Sequence, residues 1–410
     1  MISAGWGEAI EELSRRKLRT LLTLLGMIFG VGAMVAMQGV GEGSRREALK
    51  LVDSLGLHNL IVEAKSQSGD ALKEARARSI GLTVADAQAA LDVVPSAERF
   101  AAEKQIKVLS VFSDGGHADA QIEGVSPDYF QLASQHLELG RALNANDDAS
   151  LAAVAVLGHQ AAYELFPDGK PLGRLFKANQ TWLRVVGVLA DRDLDQNKFE
   201  GVALGGDSNT VFVPLSSARA RFRFQPMEDE ISRFLLRIND PSSLASDANV
   251  LTQLLDQRHA GVSDYRLIVP QQLYQQNQKT QRIFSVVMGT IAGVSLLVGG
   301  IGIMNIMLAN VLERRREIGL LRAIGARRQD IVQRFLREAV VICASGALIG
   351  LLFGAALAYA IAAFAGWHVA WAPVGIIISV VACTLIGLGF SIYPSRQAAA
   401  LDPIAAIRDE

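Results

Sequence analysis

The sequence has little cysteine and no excess of charge of either sign. Only Cys343 and Cys383 occur in 410 residues, and both lie inside long apolar runs. They therefore cannot belong to a disulfide framework in a water-soluble part or to a C-x-x-C metal site. Lys and Arg number 40 against 41 Asp and Glu. Because a protein that neutralises many phosphates usually carries a basic excess over a whole domain, no nucleic-acid partner is expected.

Motifs that carry catalysis are also absent from the sequence. It contains no G-x-x-x-x-G-K-[ST] phosphate-binding loop, no H-E-x-x-H zinc motif and no G-x-S-x-G nucleophile turn, and its 6 His are scattered. His159 follows Gly158 at the start of a helical pattern, which favours a helix-start residue over a general base. The sequence thus predicts no catalytic residue, no metal site and no cofactor bound by this chain.

Long apolar runs are what the sequence has instead. Half of the residues are hydrophobic and 20% are charged, which indicates a protein that is part membrane and part water-soluble. Four runs reach the roughly 20 residues needed to cross a bilayer: residues 21–40, 283–311, 339–365 and 371–393. The first run exceeds a signal-peptide core of about 7–15 residues and lacks a small-residue cleavage site, so a retained span is expected.

Arginine counts in the short flanking segments set the expected orientation. Residues 312–338 carry eight Arg, whereas the connection 366–370 carries no Lys or Arg. The positive-inside rule therefore places residues 312–338 in the cytoplasm. Four spans then put both termini inside and residues 41–282 outside, with residues 394–410 as a cytoplasmic tail.

Residues 1–20 precede the first span and carry Trp6, Ile10 and Leu13 at helical spacing. Charged residues occupy the opposite face, a pattern typical of an amphipathic helix lying on the inner membrane surface. A short soluble cap on the first span is the alternative.

The outer segment is predicted to be a mixed α/β domain. Stretches rich in β-forming residues occur at His58–Val62, Gln105–Val111, Ala152–Leu157, Leu183–Val188, Thr210–Val213, Arg233–Ile238 and Arg266–Val269. Helical patterns cover Thr83–Val94, Gln160–Phe166 and Leu244–Gln257, with Thr83 as a candidate N-cap. Two polar stretches, Ser66–Arg78 and Asp191–Asn209, are interpreted as mobile loops.

Helical patterns also continue outward from two spans, over residues 44–54 and 270–282. They predict a stalk, because a helix that leaves the membrane without a breaker transmits motion to what it carries. Gly41 and Gly43 weaken the prediction at the first exit, since Gly costs a helix about 1 kcal/mol relative to Ala. The predicted fold class is a membrane α-helical protein with four transmembrane helices and a large mixed α/β extracytoplasmic domain on a helical stalk.

Glycines recur at four-residue spacing inside three of the spans. They are Gly26 and Gly30 in the first, Gly289 and Gly293 in the second, and Gly346, Gly350 and Gly354 in the third. Such ridges let helix backbones approach closely in lipid. The alternative is that Gly is simply frequent in membrane helices.

The stretch Gly299–Glu338 reads GGIGIMNIMLANVLERRREIGLLRAIGARRQDIVQRFLRE. It predicts a helix that continues past the inner interface through Arg322, turns at Gly325 and returns into the third span. Charges of both signs interleave, which suits a docking surface better than a loop that merely fixes topology. The residues predicted to contact a partner are Glu313, Arg316, Glu317, Arg322, Ile324, Gly325, Ala326, Arg327, Arg328, Asp330 and Ile331.

This stretch resembles the hallmark of MacB-type, or type VII, ABC transporter permeases, which are FtsX-like permeases. The C-terminal YPSRQAAALDPIAAIRDE looks like the tail of that family. GVSPDYF, LGHQAAYELFPDGKPLGRLF and WLRVVGVLADR look like its periplasmic domain. The resemblance covers nearly the whole chain and is weakest in residues 64–115 and 189–230.

The resemblance implies a function that composition alone does not give. It implies a permease in the bacterial inner membrane that pairs with a second copy or a paralogue. It also implies two cytoplasmic ABC ATPase subunits, which use ATP and Mg, and an outer domain with a porter-like and an inserted part. ATP-driven movement of the stalk would work this periplasmic domain by mechanotransmission. Because this chain lacks the fused ATPase domain of MacB, the ATPase is expected on a separate polypeptide.

The family resemblance leaves more than one activity open. The leading interpretation is an export permease of a tripartite efflux pump, with a periplasmic adaptor and an outer-membrane channel. One alternative is a lipoprotein-releasing permease. Another is an FtsX-like transmembrane signalling protein that activates cell-wall hydrolases, which would transport nothing.

Overall fold

The computed structural model describes residues 17–107, 110–191, 198–199, 202–203, 207–365, 369–371 and 373–408. By its internal contacts the chain divides into two compact units. The membrane unit comprises residues 1–47 and 277–410, and the outer domain comprises residues 48–276. Most of the amphipathic helix expected over residues 1–20 lies outside the described residues.

The helices and strands of the described residues are numbered in chain order. The helices are α1 (Lys17–Leu55), α2 (Gly69–Arg76), α3 (Val84–Val93), α4 (Tyr129–Leu132), α5 (Ala145–Ala149), α6 (His159–Leu165), α7 (Leu215–Arg221), α8 (Leu244–Arg258), α9 (Pro270–Glu313), α10 (Arg315–Ala323), α11 (Arg328–Ala365), α12 (Pro373–Ala399) and α13 (Pro403–Arg408). The strands are β1 (Asn59–Ala64), β2 (Ala97–Ile106), β3 (Val111–Phe112), β4 (His117–Ala118), β5 (Gln121–Val125), β6 (Leu137–Gly140), β7 (Val154–Leu157), β8 (Leu175–Ala178), β9 (Thr181–Leu189), β10 (Lys198–Phe199), β11 (Val202–Ala203), β12 (Thr210–Pro214), β13 (Arg233–Ile238) and β14 (Tyr265–Ile268).

Four helices, α1, α9, α11 and α12, are long and apolar enough to cross a membrane. Together with the mixed α/β outer domain they confirm the predicted fold class. Helix α1 runs without interruption through Gly41 and Gly43, so the two glycines do not end it. Trp371, expected inside the fourth span, precedes α12, and residues 394–399, expected in the tail, continue that helix through Pro394.

The buried side of α12 consists of small residues at four-residue spacing, several of them polar. It includes Ser379, Cys383, Gly387, Ser391 and Ser395. Each of the three serines donates its hydroxyl to the carbonyl oxygen four residues earlier, at 2.7–2.9 Å. The hydroxyls are therefore satisfied within their own helix and need no partner in lipid.

The outer domain is built on one twelve-stranded sheet. Its strand order is β14-β1-β13-β2-β5-β12-β7-β9-β8-β3-β4, and β6 also pairs with β9. Two pairs, β5–β12 and β7–β9, are parallel. Strands β10 and β11 form a separate hairpin.

Side chains that alternate along the strands form apolar cores on both faces of the sheet. In β1, Leu60 and Val62 are buried with residues of α3 and α8, whereas Ile61 between them is buried with Tyr129 and Phe130 of α4. Successive side chains of a strand point to opposite faces. Both faces of β1 are therefore covered over Leu60–Val62.

Most predicted elements of the outer domain coincide with observed ones, but two predictions are wrong, and the loop expected over Asp191–Asn209 lies largely outside the described residues. The strand expected at Gln105–Val111 is instead the end of β2, which begins at Ala97, followed by the short β3. The stretch Ser66–Arg78 is not simply a loop, because it contains α2. This helix is polar because it lies on the surface, and Ala75 is its buried residue.

Candidate functional site

The predicted coupling hairpin consists of α10, a tight turn and the start of α11. Helix α9 ends at Glu313, and Arg314 departs from helical geometry with φ −99° and ψ 16°. Its backbone N–H still donates to Asn310 O at 3.0 Å, and Ile318 N donates to Arg314 O at 2.9 Å. The helix expected to continue unbroken through Arg322 is therefore kinked at Arg314.

Gly325 forms the turn that ends α10, as the sequence predicts, and it does so with a positive φ. Its φ is +105°, in the left-handed region that favours glycine. Gly325 N donates to Arg322 O at 3.2 Å and Ala326 N donates to Leu321 O at 3.0 Å. These two bonds form a Schellman motif, which satisfies carbonyl groups that the helix end would leave without a partner.

The return helix starts with its own cap. The Asp330 carboxylate accepts a hydrogen bond from Arg327 N at 2.9 Å, close to the first turn of α11. Ile331, expected to fill a groove of a partner, is instead 3% exposed and packs in the core of the membrane unit with Ile318 and Phe335. The prediction for Ile331 is therefore wrong, because its side chain is already used inside the chain.

Two ion pairs join the arms of the hairpin. Arg314 Nη1 lies 3.0 Å from Glu338 Oε1, and Arg334 Nη2 lies 2.9 Å from Glu317 Oε1. The second pair is largely exposed and adds little stability, whereas the first is partly buried. Glu317, predicted to contact a partner, is thus already paired with a residue of its own chain.

The exposed side of α10 carries two large apolar residues. Ile324 is 75% exposed and Leu320, one turn earlier, is 58% exposed. Arg316, a further turn earlier, is also exposed, as are Arg327 and Arg328 beyond the turn. Leu320 was missed in the sequence, although its four-residue spacing from both Arg316 and Ile324 was a usable signal.

The other predicted contact residues lie around this surface. Glu313 is exposed at the end of α9, whereas Arg322 and Ala326 are half-buried. Ala326 packs against the membrane-unit core beside Leu321. Leu320 and Ile324 together with Arg316, Arg327 and Arg328 are called the α10 surface below.

The predicted packing glycines fall into two groups. Five of them adjoin another helix so closely that a methyl group would lie 2.6–3.1 Å from its nearest neighbour: Gly26, Gly30, Gly346, Gly350 and Gly354. At Gly354 that neighbour is the backbone carbonyl oxygen of Gly32 in α1. Methyl groups at Gly289 and Gly293 would meet no described atom within 4 Å. The first span therefore approaches the second closely at Gly26 and Gly30 and the third at Gly346, Gly350 and Gly354, whereas the Gly289–Gly293 ridge meets no described helix.

The outer domain contains a buried polar cluster around His259 that the sequence did not single out. His259 Nδ1 lies 2.7 Å from Asp264 Oδ1 and its Nε2 lies 3.5 Å from Asp86 Oδ2. Ser79 Oγ donates to Asp264 Oδ2 at 2.6 Å. Burial would by itself lower the pKa of His259, but the neighbouring carboxylates of Asp86 and Asp264 outweigh burial and raise this pKa.

This cluster differs from a hydrolase triad in two respects. Ser79 Oγ lies 3.1 Å from His259 Nδ1, the same ring nitrogen that contacts Asp264. A nucleophile and an orienting carboxylate normally use different nitrogens of the histidine. Ser79, His259 and Asp264 are also each buried, so a substrate could not reach them. Among the described residues, no group of three His, Cys, Asp or Glu could hold a metal ion.

Comparison with known proteins matches both parts of the chain. Residues 20–254 match the MacB-like periplasmic core domain, and residues 289–403 match the FtsX-like permease C-terminal domain. The crystal structure of the periplasmic region of MacB from Actinobacillus actinomycetemcomitans is similar with a TM-score of 0.43 and 20% identity, over 55% of this chain and 95% of that one.

Two curated relatives align along nearly all of the sequence. The probable syringafactin export ATP-binding/permease protein SyfD of Pseudomonas syringae is 34% identical over 96% of this chain and 57% of its own length. The macrolide export ATP-binding/permease protein MacB 1/2 of Paracoccus denitrificans is 34% identical over 98% of this chain and 58% of its own length. The 410 residues thus span somewhat more than half of each relative, and the chain belongs to the MacB-like family of ABC transporter permeases.

Proposed function

We propose that this chain is the transmembrane permease of an ABC export system that works by mechanotransmission. The 410 residues carry no phosphate-binding loop, so the proposal assigns ATP hydrolysis to an ATPase outside them, which uses Mg. The membrane-spanning helices carry its movement to the outer domain. In this proposal the substrate is moved by the outer domain and does not pass between the spans.

The α10 surface is the observation that carries this proposal. Leu320 and Ile324 present apolar area on a helix rich in charged residues, and no described residue of the chain covers them. Two apolar residues with arginines around them are typical of a protein–protein interface, which has a desolvated apolar centre and a charged rim. We therefore assign this surface to docking of the ATPase.

The substitutions Leu320→Asp and Ile324→Asp test the docking surface. Each places a charge at the centre of the contact, and ATPase copurification is expected to fall at least about tenfold, as for loss of a binding hot spot. Gln333→Asp is the control, because it makes the same charge change at an exposed position on the other arm of the hairpin. Copurification of all three variants at the wild-type level would exclude this surface as the docking site.

Continuity of α1 and α9 supports the mechanical part of the proposal. Helix α1 extends over residues 17–55, and α9 extends over residues 270–313. Gln281 of α9 also donates to Ser44 Oγ of α1 at 2.9 Å. Two long helices joined in this way form a stiffer stalk than flexible linkers would.

The proposed assembly contains two permeases and two ATPase subunits in the bacterial inner membrane. A periplasmic adaptor and an outer-membrane channel complete it as a tripartite efflux pump. Reporters fused after Gly116 and Asp207 should report an extracytoplasmic position, and reporters after Arg328 and Glu410 a cytoplasmic one, because of the arginine bias. A cytoplasmic signal at Gly116 would overturn both the orientation and the mechanism.

A further inference from the structure

The kink at Arg314 raises the question of what holds α10 in place. A helix that continued straight from the second span would orient α10 by its own stiffness. At Arg314 the backbone instead leaves helical geometry, so the angle between α9 and α10 depends on contacts made by α10. Of the two ion pairs to α11, only the one between Glu317 and Arg334 starts from α10 itself, and both of its side chains are largely exposed.

A second support comes from the end of the chain. The short helix α13 packs against α10. Ile318 of α10 is 3% exposed and Ala406 of α13 is 4% exposed. Leu401, in the connection that precedes α13, packs against the same apolar core as Ile318.

The connection between α12 and α13 is short and capped. Helix α12 ends at Ala399, and α13 begins at Pro403, which suits the first position of a helix. The carboxylate of Asp402 accepts a hydrogen bond from Ile404 N at 3.0 Å, and Asp402 O accepts one from Ala406 N at 2.9 Å. The Asp402-Pro403 pair thus fixes where the chain turns after the fourth span.

We infer that α13 is a positioning element for the coupling hairpin, which holds α10 at a fixed angle and links it to the fourth span. This inference rests on the proposed docking role of α10 for its functional consequence. The positioning itself is a property of the chain alone. Movement imposed on α10 would accordingly reach the membrane through α12 as well as through α9.

The test compares two arginine substitutions on α13. Ala406→Arg places a long charged side chain at a buried position and should lift α13 from α10. Ile404→Arg adds the same side chain to the same helix at a position that is 74% exposed. A chain truncated after Ala400 is the second variant, because it removes α13 and leaves the four spans intact.

Hydrogen–deuterium exchange of residues 315–323 in the purified chain, without ATPase, is the first measurement. Ala406→Arg and the truncation should speed exchange at least about tenfold, since loss of packing lowers the free energy of local opening. Ile404→Arg should leave exchange at the wild-type rate. Exchange in Ala406→Arg and in the truncated chain that matches Ile404→Arg would overturn the inference.

Stimulation of the bound ATPase and export are the second measurements. Ala406→Arg should reduce export at least about tenfold relative to Ile404→Arg, because a mobile α10 transmits motion poorly. Leu320→Asp should lower ATPase copurification and leave exchange unchanged. If copurification survives Leu320→Asp, the proposed docking site fails, whereas the exchange rates still decide whether α13 positions α10.

Discussion

The outer domain and the membrane unit bury polar groups in different ways. In the outer domain, charged side chains join separate elements, as Arg233 of β13 and Glu103 of β2 do with Nε and Oε2 2.5 Å apart. In the membrane unit, the buried hydroxyls of Ser391 and Ser395 bond to carbonyl groups of their own helix. What joins one span to another there is close backbone approach at glycines.

This difference follows from the two solvents. In water, apolar burial drives strands and helices together, and a few buried charge pairs select which elements meet. In lipid the tails are as apolar as the side chains, so helices associate through shape and small residues. The stability of the outer domain should therefore fall when a buried charge is removed, and the stability of the membrane unit should fall when a side chain is enlarged between two helices.

Replacement of Arg233 should give the largest effect in the outer domain. Burial would lower the pKa of Arg233, but the carboxylates of Glu103 and Glu123 raise it well above its usual value. Arg233→Met leaves both carboxylates buried without this cation and should cost about 3–5 kcal/mol of unfolding free energy. Urea unfolding of the detergent-solubilised chain, followed by pulse proteolysis of the outer domain, measures this loss.

Arg237 provides a matched control on the same strand. It is half-exposed, and its nearest carboxylate, Glu98, lies 3.8 Å away. Arg237→Met should change the unfolding free energy by less than about 1 kcal/mol. Equal losses in the two variants would show that charge pairing does not select the β2–β13 contact.

Added volume at Gly354 should give the largest effect in the membrane unit. A methyl group there would lie 2.6 Å from Gly32 O and 2.9 Å from Gly32 Cα, both backbone atoms that cannot move aside as a side chain can. Gly354→Leu should therefore cost about 3 kcal/mol, the upper part of the usual range for overpacking. Gly293→Leu adds the same volume where no described atom lies within 4 Å.

The amount of folded protein extracted in mild detergent and its thermal midpoint distinguish these two variants. Gly354→Leu should lower both, whereas Gly293→Leu should resemble the wild type. A severe defect in Gly293→Leu would instead mean that its helix face packs against something outside the chain. Equal tolerance of both substitutions would contradict the close approach of α1 and α11.

Local features were predicted from the sequence more completely than long-range ones. The four spans follow from run length, because an average over many residues tolerates local error. Thr83 was predicted as an N-cap, and its side chain indeed forms a capping box with Asp86. The strand order was not predicted, since no local pattern indicates that β2 pairs with β13, which is distant in sequence.

The candidate site shows the same limit. Ile324 and Ile331 look alike in the sequence, yet Ile324 is exposed and Ile331 is buried against residues of other helices. Only the packing of the whole membrane unit separates them. Likewise, the small-residue side of α12 was missed because serine and cysteine take the positions where glycine was sought.

Substitution of Gly325 should have an intermediate effect that is confined to the hairpin. Its φ of +105° is strained for a β-branched residue, so Gly325→Val should cost about 1–3 kcal/mol locally. Gly325→Asn, which tolerates positive φ better, is the control. Hydrogen exchange across residues 315–330 should rise in the Val variant and much less in the Asn variant. Equal exchange in both would mean that the turn does not require glycine.

The smallest expected effect is a dependence of outer-domain stability on pH through His259. Groups that face this histidine include Asp86, Asp264 and the ring of Tyr265. Because folding raises the pKa of His259, the protonated form is favoured in the folded state.

The stabilisation that protonated His259 gives to the fold is fully present below about pH 6.5, the ordinary pKa of histidine. It is lost as the pH rises through the folded-state pKa. The urea midpoint should therefore fall as the pH rises above about 6.5. His259→Gln should flatten this decline, whereas His159→Gln, on a half-exposed histidine beside Glu138, should retain it. A decline of equal size in His259→Gln would assign the pH dependence to other groups.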